Sequence, residues 1–419
     1  MNNSLDVIII GGGIGGLATA LSLHDIGLKP RIYEQAKKIR PLGVGINLLP
    51  HSVRELSELG LLDKLHSTGV ETDELRFYTQ YGLEIQREPR GKRAGYNWPQ
   101  FSIHRGELQM LLYEAVIERL GHKCIKTNHT AIDLTQINNN INVSFIDSAT
   151  KKNLGTEKAD IVIAADGIHS TIRSKFYPNE GNPIYAGINL WRGTTWQKPF
   201  LSGQTMILAG TLKTGKMVIY PISQPNQEGK TLVNWVAEVQ TASYKNNDWS
   251  RRGQIEDFAY RYSDWNFNWL DVPAMIRNAE QILEYPMVDR DPVDQWVFGR
   301  AALLGDSAHP MYSIGANGAG QAILDARTLA GFIKSFDDPI DALKAYEADR
   351  LPATAEVVYA NRRDGPDYLL EIVAERAVEP VEDIHDIISQ EEIEEIGAKY
   401  RKITGYDKDA LNARRSLVP

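Results

Sequence analysis

Cysteine is nearly absent. Cys124 is the single one in 419 residues, so no intrachain disulfide can form and no cysteine cluster can bind a metal. Such usage fits a reducing compartment. A basic surplus is also missing, since 46 Lys and Arg face 54 Asp and Glu for a net charge of -8. That excludes a phosphate-backbone partner as the default, because nucleic-acid binders carry a basic excess. The local basic group Arg87, Arg90, Lys92 and Arg93 reads as a solvated loop. Long apolar runs are lacking too. Val7 to Ile10 falls far short of the ~20 residues a membrane helix needs. No basic region or cleavage site of a secretion signal accompanies it. The expectation is a cytoplasmic protein with no membrane partner. Internal repeats and low-complexity tracts are absent.

What the chain does have is glycine in three places. Gly11-Gly12-Gly13-Ile14-Gly15-Gly16 comes first, Asp166-Gly167 with Ser170 and Arg173 second, and Gly305-Asp306 running on to Gly315-Ala316-Asn317-Gly318 third. The length exceeds one small core, so two closely packed domains are expected. Leu5 to Ile10, apolar but for Asp6 and β-branched from Val7 on, reads as a strand buried on both faces of a parallel sheet. Leu17, Ala18, Leu21 and Leu23 then have helical spacing up to Gly27, a C-cap signal. Pro30 to Glu34 is short and extended. Strand, glycine turn, helix and strand in about thirty residues is the context a dinucleotide fingerprint requires.

Further strands are expected at Asn140–Ile146, Asp160–Ala165 and Ala301–Leu304, and helices at Glu107–Leu120 and Gly320–Lys334. Between about 184 and 290 the pattern changes to short alternating strands (Ile184–Thr195, Thr205–Leu208, Met217–Pro221, Leu232–Val239). Seven of the eight tryptophans fall between Trp191 and Trp296. The fold class is therefore α/β: a Rossmann-like FAD-binding domain with an inserted sheet-rich substrate domain and a C-terminal helical tail. Residues 1–75, 100–180 and 290–335 are assigned to the first, 76–99 and 181–289 to the second, and 336–419 to the third. The tail, acidic at Glu391 to Glu395, is expected on the outside or at a dimer surface, in a monomer or homodimer.

In the first segment Gly11 permits a tight turn and Gly13 lets a pyrophosphate approach the backbone. Gly16 lets helix pack on strand. Ile14 and Gly15 open the helix, whose N-terminus attracts phosphate. Glu34, at the end of the second strand, can accept ribose hydroxyls. In the second segment Gly167 supplies permissive dihedrals beside Asp166, and in the third Asp306 offers a carboxylate to a ribitol or ribose hydroxyl. The helix after Gly318 can point its positive end at a reduced flavin. Glycine-rich turns and helix entries without a ligand are the alternative at each place.

Together the three segments resemble the single-component FAD-dependent aromatic hydroxylases, the group typified by para-hydroxybenzoate and salicylate hydroxylases. Ile39–Asn47, Ser102–Met110, Trp191-Arg192-Gly193 and Tyr285–Pro292 resemble the phenazine-hydroxylating members. The resemblance implies bound FAD, with NADH or NADPH as a transient co-substrate and dioxygen activated at the flavin C4a position as a hydroperoxide. The third partner is a small aromatic substrate. It also implies that Arg105 contacts the FAD phosphate or ribityl region, with Val44 and Gly45 along the cofactor. Ser313 stands where the family usually has proline, and Gly320 where many members have asparagine.

Trp191, Arg192, Tyr220 and Trp235 on the inserted strands, with Tyr312 and Ser313 before the third glycine stretch, are the candidate substrate residues. Aromatic faces suit a flat ligand and arginine suits a carboxylate; core packing for the tryptophans and an ion-pair role for Arg192 are the alternatives. His309 reads as a packing or cofactor-loop residue, or as a base. No catalytic residue is assigned. His104 and His169 lack metal partners at useful spacing, so no metal site is expected. The competing functions are a flavoenzyme of another type or a non-catalytic flavin-binding protein. Trp265-Asn266-Phe267-Asn268-Trp269 does not reproduce the W-x-W-x-I-P stretch of the halogenases.

Overall fold

The computed structural model of the protein describes residues 5–243, 251–363, 365, 367–377, 381 and 383–419, so Trp249 and Pro366 lie outside the described residues. A six-stranded sheet runs Val297–Phe298, Ala301–Leu303, Ile161–Ala164, Val7–Ile10, Arg31–Tyr33, Ile125–Lys126. Val7–Ile10 lies parallel to both Ile161–Ala164 and Arg31–Tyr33. All four of its residues are buried. With layers on both faces no residue can afford to be polar, which is why the run does not alternate. The helix Ile14–Asp25 follows at once and ends before Gly27, whose φ of +90° suits glycine alone. The helices Arg105–Leu120 and Gly318–Ser335 pack against it.

A second sheet has seven strands in the order Gln281–Asp289, Ile184–Gln197, Thr231–Gln240, Gly215–Pro221, Thr205–Thr211, Glu74–Tyr78, Glu84–Pro89. It is antiparallel except where Thr205–Thr211 runs parallel to Glu74–Tyr78. Here side chains alternate between faces. One face carries Trp191, Met217, Ile219, Val233, Trp235 and Ala237, packed on Phe258, Tyr262 and Trp265. The other carries Ile188, Leu190, Val236 and Met287, which meet Tyr312 just ahead of the third glycine stretch.

The tail packs back on the seven-stranded sheet. Its acidic residues Glu391, Glu394 and Glu395 do point outward. However, Leu369, Leu370, Val373, Ile384 and Ile393 cover Leu75, Phe77, Ile85 and Leu208 of the seven-stranded sheet. Tyr400, on the helix Gln390–Ile403, is buried against the third glycine segment. Amphipathic spacing in this helix serves the interior of the chain itself. Among the described residues, no helix is long and apolar enough to cross a membrane.

Candidate active site

The glycines of the first segment do different work. A Cβ on Gly11, at φ +106°, would lie 2.3 Å from the Ala165 carbonyl oxygen, and one on Gly16 would lie 2.0 Å from that of Gly11. Both positions need glycine for the chain to close on itself. Gly13 is the N-cap of the helix Ile14–Asp25, has no side-chain cap, and would place a Cβ in open space with nothing within 4 Å. The helix therefore starts with unpaired N–H groups facing a cradle. Ile14 is buried, and a Cβ on Gly15 would touch Leu304 Cδ2 at 3.1 Å and Ala322 Cβ at 3.3 Å, close packing onto the third segment. Glu34 accepts from Gly12 N and Ala36 N, each at 2.6 Å. Gln109, in the segment Ser102–Met110 that carries the resemblance, donates to the Gly12 carbonyl at 2.8 Å.

The second and third segments are tied together. Asp166 accepts from Ser170 Oγ at 2.6 Å and from Ile172 N at 3.4 Å. Burial pushes its carboxyl up, and these bonds offset the rise only in part. Gly167, at φ +81°, faces open space. Arg173, fully buried, donates through Nη1 to the carbonyls of Ser307 and Ala308. Asp325 accepts from Gly305 N at 3.1 Å and pairs with His309 Nε2 at 2.5 Å and Arg350 Nε at 2.8 Å. Burial would raise the Asp325 carboxyl, but His309 and Arg350 outweigh it and hold it below its ordinary value. His309 thus belongs to the cofactor-loop scaffold.

Asp306 faces outward, with its Oδ1 3.9 Å from a Cβ on Gly318. Gly315 and Ala316 are both left-handed, at φ +69° and +57°. Asn317 is buried, and the helix Gly318–Ser335 begins without a side-chain cap. Two uncapped helix starts, at Gly13 and Gly318, therefore bound a region that also holds the outward Asp306. An elongated molecule with a pyrophosphate at one end and an electron-accepting ring at the other fits this pair.

The seven-stranded sheet reaches this region through Gly45. Gly45 N donates to Asn234 Oδ1 at 2.7 Å, and Arg192 Nη2 donates to Gly45 O at 2.6 Å. A Cβ on Gly45 would lie 2.6 Å from Asn234 Cβ and 2.7 Å from the Tyr220 ring. Val44, buried, accepts from the N–H of Arg105 at 2.7 Å, while the Arg105 side chain is exposed and acts electrostatically on Asp306 and Tyr285. Arg192, Tyr220 and Tyr312 therefore converge on this face, and Ser313 is exposed beside them.

Trp191 and Trp235 do not converge there. They point to the far face, where Trp191 stacks on Phe258 at 5.2 Å and Trp235 Nε1 donates to Thr195 Oγ1 at 3.1 Å. The period-two alternation that brings Arg192, Asn234 and Val236 to the cleft carries the tryptophans away from it. Tyr285 and Met287 lie in the segment Tyr285–Pro292 that carries the resemblance, whereas Asn234 is not among the candidate residues of the sequence. Asn234 has one usable signal, a polar residue set between the apolar residues Leu232–Val233 and Trp235–Ala237 of its strand. Among the described residues, no group of three or more His, Cys, Asp or Glu could hold a metal.

The mostly parallel sheet, two uncapped helix starts and covering antiparallel sheet form an α/β fold suited to a dinucleotide. Residues 4–361 match the family described as FAD binding domain. The chain is 43% identical over 362 residues to the phenazine 1,6-dicarboxylic acid hydroxylase of Lysobacter antibioticus, covering 85% of this chain and 89% of that one. It is 31% identical over 376 residues to a 3-amino-4-hydroxybenzoate 2-monooxygenase of Streptomyces platensis, covering 88% and 90%. A salicylate hydroxylase substrate complex shares the fold at a TM-score of 0.74 and 21% identity, covering 100% of this chain and 99% of that chain. The chain belongs to this FAD-binding family and is a flavin-dependent aromatic monooxygenase that uses FAD and NAD(P)H.

Proposed function

We propose that the protein hydroxylates a planar aromatic or heteroaromatic carboxylate of phenazine or salicylate type. The observation that carries this reading is the apolar face of Ile188, Leu190, Val236, Met287 and Tyr312, beside Arg192. Such a face takes up a flat ring system and excludes water from it. Arg192 is held by Gly45 O, yet its buried Nε has no partner among the described groups. The guanidinium supplies the positive charge with which a substrate carboxylate would pair. The 43% identical relative acts, by its name, on a phenazine dicarboxylic acid, which supports the same substrate class.

Bound FAD, once reduced by NAD(P)H, supplies the activation of dioxygen. The chain's own residues bind and orient it. Gly11, Gly13, Ile14, Gly15 and Gly16 with Glu34 would hold the adenosine and pyrophosphate portion, and Val44, Gly45 and Arg105 would line the middle. Asp166, Gly167 and Asp306 would hold the ribityl side. Gly315, Ala316, Asn317 and Gly318 would present backbone N–H groups to the ring.

The test is oxidation of NADH and of NADPH by the FAD-loaded protein with phenazine carboxylates, salicylates and phenols, with products followed by mass. Stimulated oxidation with gain of one oxygen, with or without loss of carbon dioxide, is the expected result for the carboxylates. Stimulation by phenols alone would sink the carboxylate reading.

A further inference from the structure

The segment that leads into the helix Gly318–Ser335 is strained. Gly315 and Ala316 are left-handed in succession, and Ala316 is not glycine. Such a backbone persists only where its surroundings over-determine it. The contacts that do so come from far along the chain. Asn361, near the end of the helix Pro339–Arg363, donates through Nδ2 to the Tyr312 carbonyl at 3.3 Å. Its Oδ1 accepts from the Tyr400 hydroxyl at 2.7 Å. That hydroxyl accepts in turn from Asn317 Nδ2 at 2.8 Å, and the same amide donates to Gly315 O at 3.0 Å. Tyr400, Asn361 and Asn317 are all buried. The fit is tight, since a Cβ on Gly315 would lie 1.8 Å from the Tyr400 hydroxyl. Gln321 Nε2, one turn into the helix, donates to Thr404 O at 3.1 Å, a second tether from the same stretch of tail.

We propose that Tyr400 is a positioning residue for the flavin: its hydroxyl, relayed through Asn361 and Asn317, sets the conformation of the Tyr312–Asn317 loop and so the aim of the backbone N–H groups at Gly318. The proposal rests on the assignment of Gly315–Gly318 to the flavin ring. Tyr400 does not touch the cofactor in this scheme. Among the described residues it is the side chain that joins both asparagines, so one hydroxyl both donates and accepts at the centre of the network. Burial pushes the phenol far up, so the hydroxyl keeps its proton at every working pH.

Tyr400→Phe keeps the ring and removes the relay. FAD affinity, read by flavin fluorescence quenching, is expected to weaken about tenfold, as for a buried hydrogen-bond pair left open. The flavin reduction potential is expected to become more negative, because a helix start that is aimed less well favours the anionic reduced ring less. Ser313 has φ -72°, within the range that proline fixes. Ser313→Pro combined with Tyr400→Phe is therefore expected to recover both quantities by stiffening the loop from its other end. A merely structural loss would lower thermal stability without moving the potential, and that result would overturn the proposal.

Gly318→Ala serves as the control, because its Cβ would meet nothing closer than Asp306 Oδ1 at 3.9 Å. A changed potential in Gly318→Ala with none in Tyr400→Phe would overturn the role of the tyrosine alone. No change in either would overturn the assignment of the loop to the flavin, and the proposal with it.

Discussion

Arg173 and Ala308 join two glycine segments that lie 135 residues apart, through a 2.6 Å bond from the guanidinium Nη1 to the main-chain oxygen. The same nitrogen reaches Ser307 O, and Nε and Nη2 pair with Glu180. The second and third cofactor segments are thus one rigid unit. Arg173→Ala would leave the buried carbonyls of Ser307 and Ala308 without this donor, while Glu180 keeps its bond from Arg290 Nη1 at 3.0 Å, at a cost of about 2 kcal/mol or more. Urea unfolding should record that loss. Arg173→Lys should recover only part of it, because an ammonium cannot reproduce the planar fork.

Gly13 and Gly16 should respond to alanine in opposite ways. Gly13 has φ -76° and open space around a Cβ, so Gly13→Ala should fold with less than about 0.5 kcal/mol change in stability. The new methyl would occupy the cradle at the helix start, and FAD affinity should fall by about tenfold or more. Gly16→Ala would press a Cβ to 2.0 Å from Gly11 O and should fail to fold. Flavin titration and circular dichroism separate the two outcomes. Unchanged FAD binding in Gly13→Ala would remove the pyrophosphate from this site.

Adjacent residues on one strand should report on opposite faces. Trp235 is fully buried against Phe258, and a Cβ on Gly193 would lie 2.2 Å from its ring. Trp235→Ala should cost about 3–5 kcal/mol, with little change in the substrate KM of the folded fraction. Val236→Phe would project into the apolar patch with Leu190 and Met287. It should raise KM for a planar substrate while costing less stability, about 1–3 kcal/mol from overpacking. Steady-state kinetics with unfolding curves would decide; a KM effect confined to Trp235 would reverse the assignment of faces.

His51 sets a pH dependence of stability. It is fully buried near Gly320, and neither ring nitrogen has a hydrogen-bond partner among the described groups. Burial, with Arg414 and Arg350, pushes its imidazole down to about 3. In the unfolded chain it takes a proton below about 6.5. Between these values the unfolded state binds more protons, so stability falls as pH falls through this window and is unaffected above it. The slope is at most about 1.4 kcal/mol per pH unit. His51→Leu should therefore gain about 2 kcal/mol relative to the unsubstituted protein on going from pH 7 to pH 5. Parallel urea curves at the two pH values would test this, and an unchanged difference would show that His51 takes up a proton in the folded state.

The cofactor half of the molecule was largely legible because its signals are contiguous. Four apolar residues, a glycine turn and a helical stripe sit side by side at Val7–Asp25. The strands Ile184–Gln197 and Thr231–Gln240 are legible as strands, but the sequence leaves Trp191 and Trp235 open between substrate contact and core packing. Alternation tells which residues share a face and not which face meets the cleft. The acidic tail helix shows the same limit: its charge pattern was clear, but nothing local in it reveals that Tyr400 reaches Asn317.

The sequence by itself determined the parallel-sheet start, the three glycine segments and the reaction class they imply, since each depends on residues within a turn or two of one another. Only the tertiary structure decided which face of the seven-stranded sheet carries Leu190 and Val236 and which the tryptophans, and what holds the strained Gly315–Ala316 turn. Those outcomes depend on contacts such as Asn317 with Tyr400, 83 residues apart. A pairing of that kind has no local energetic signature and exists only once the hydrophobic faces have packed.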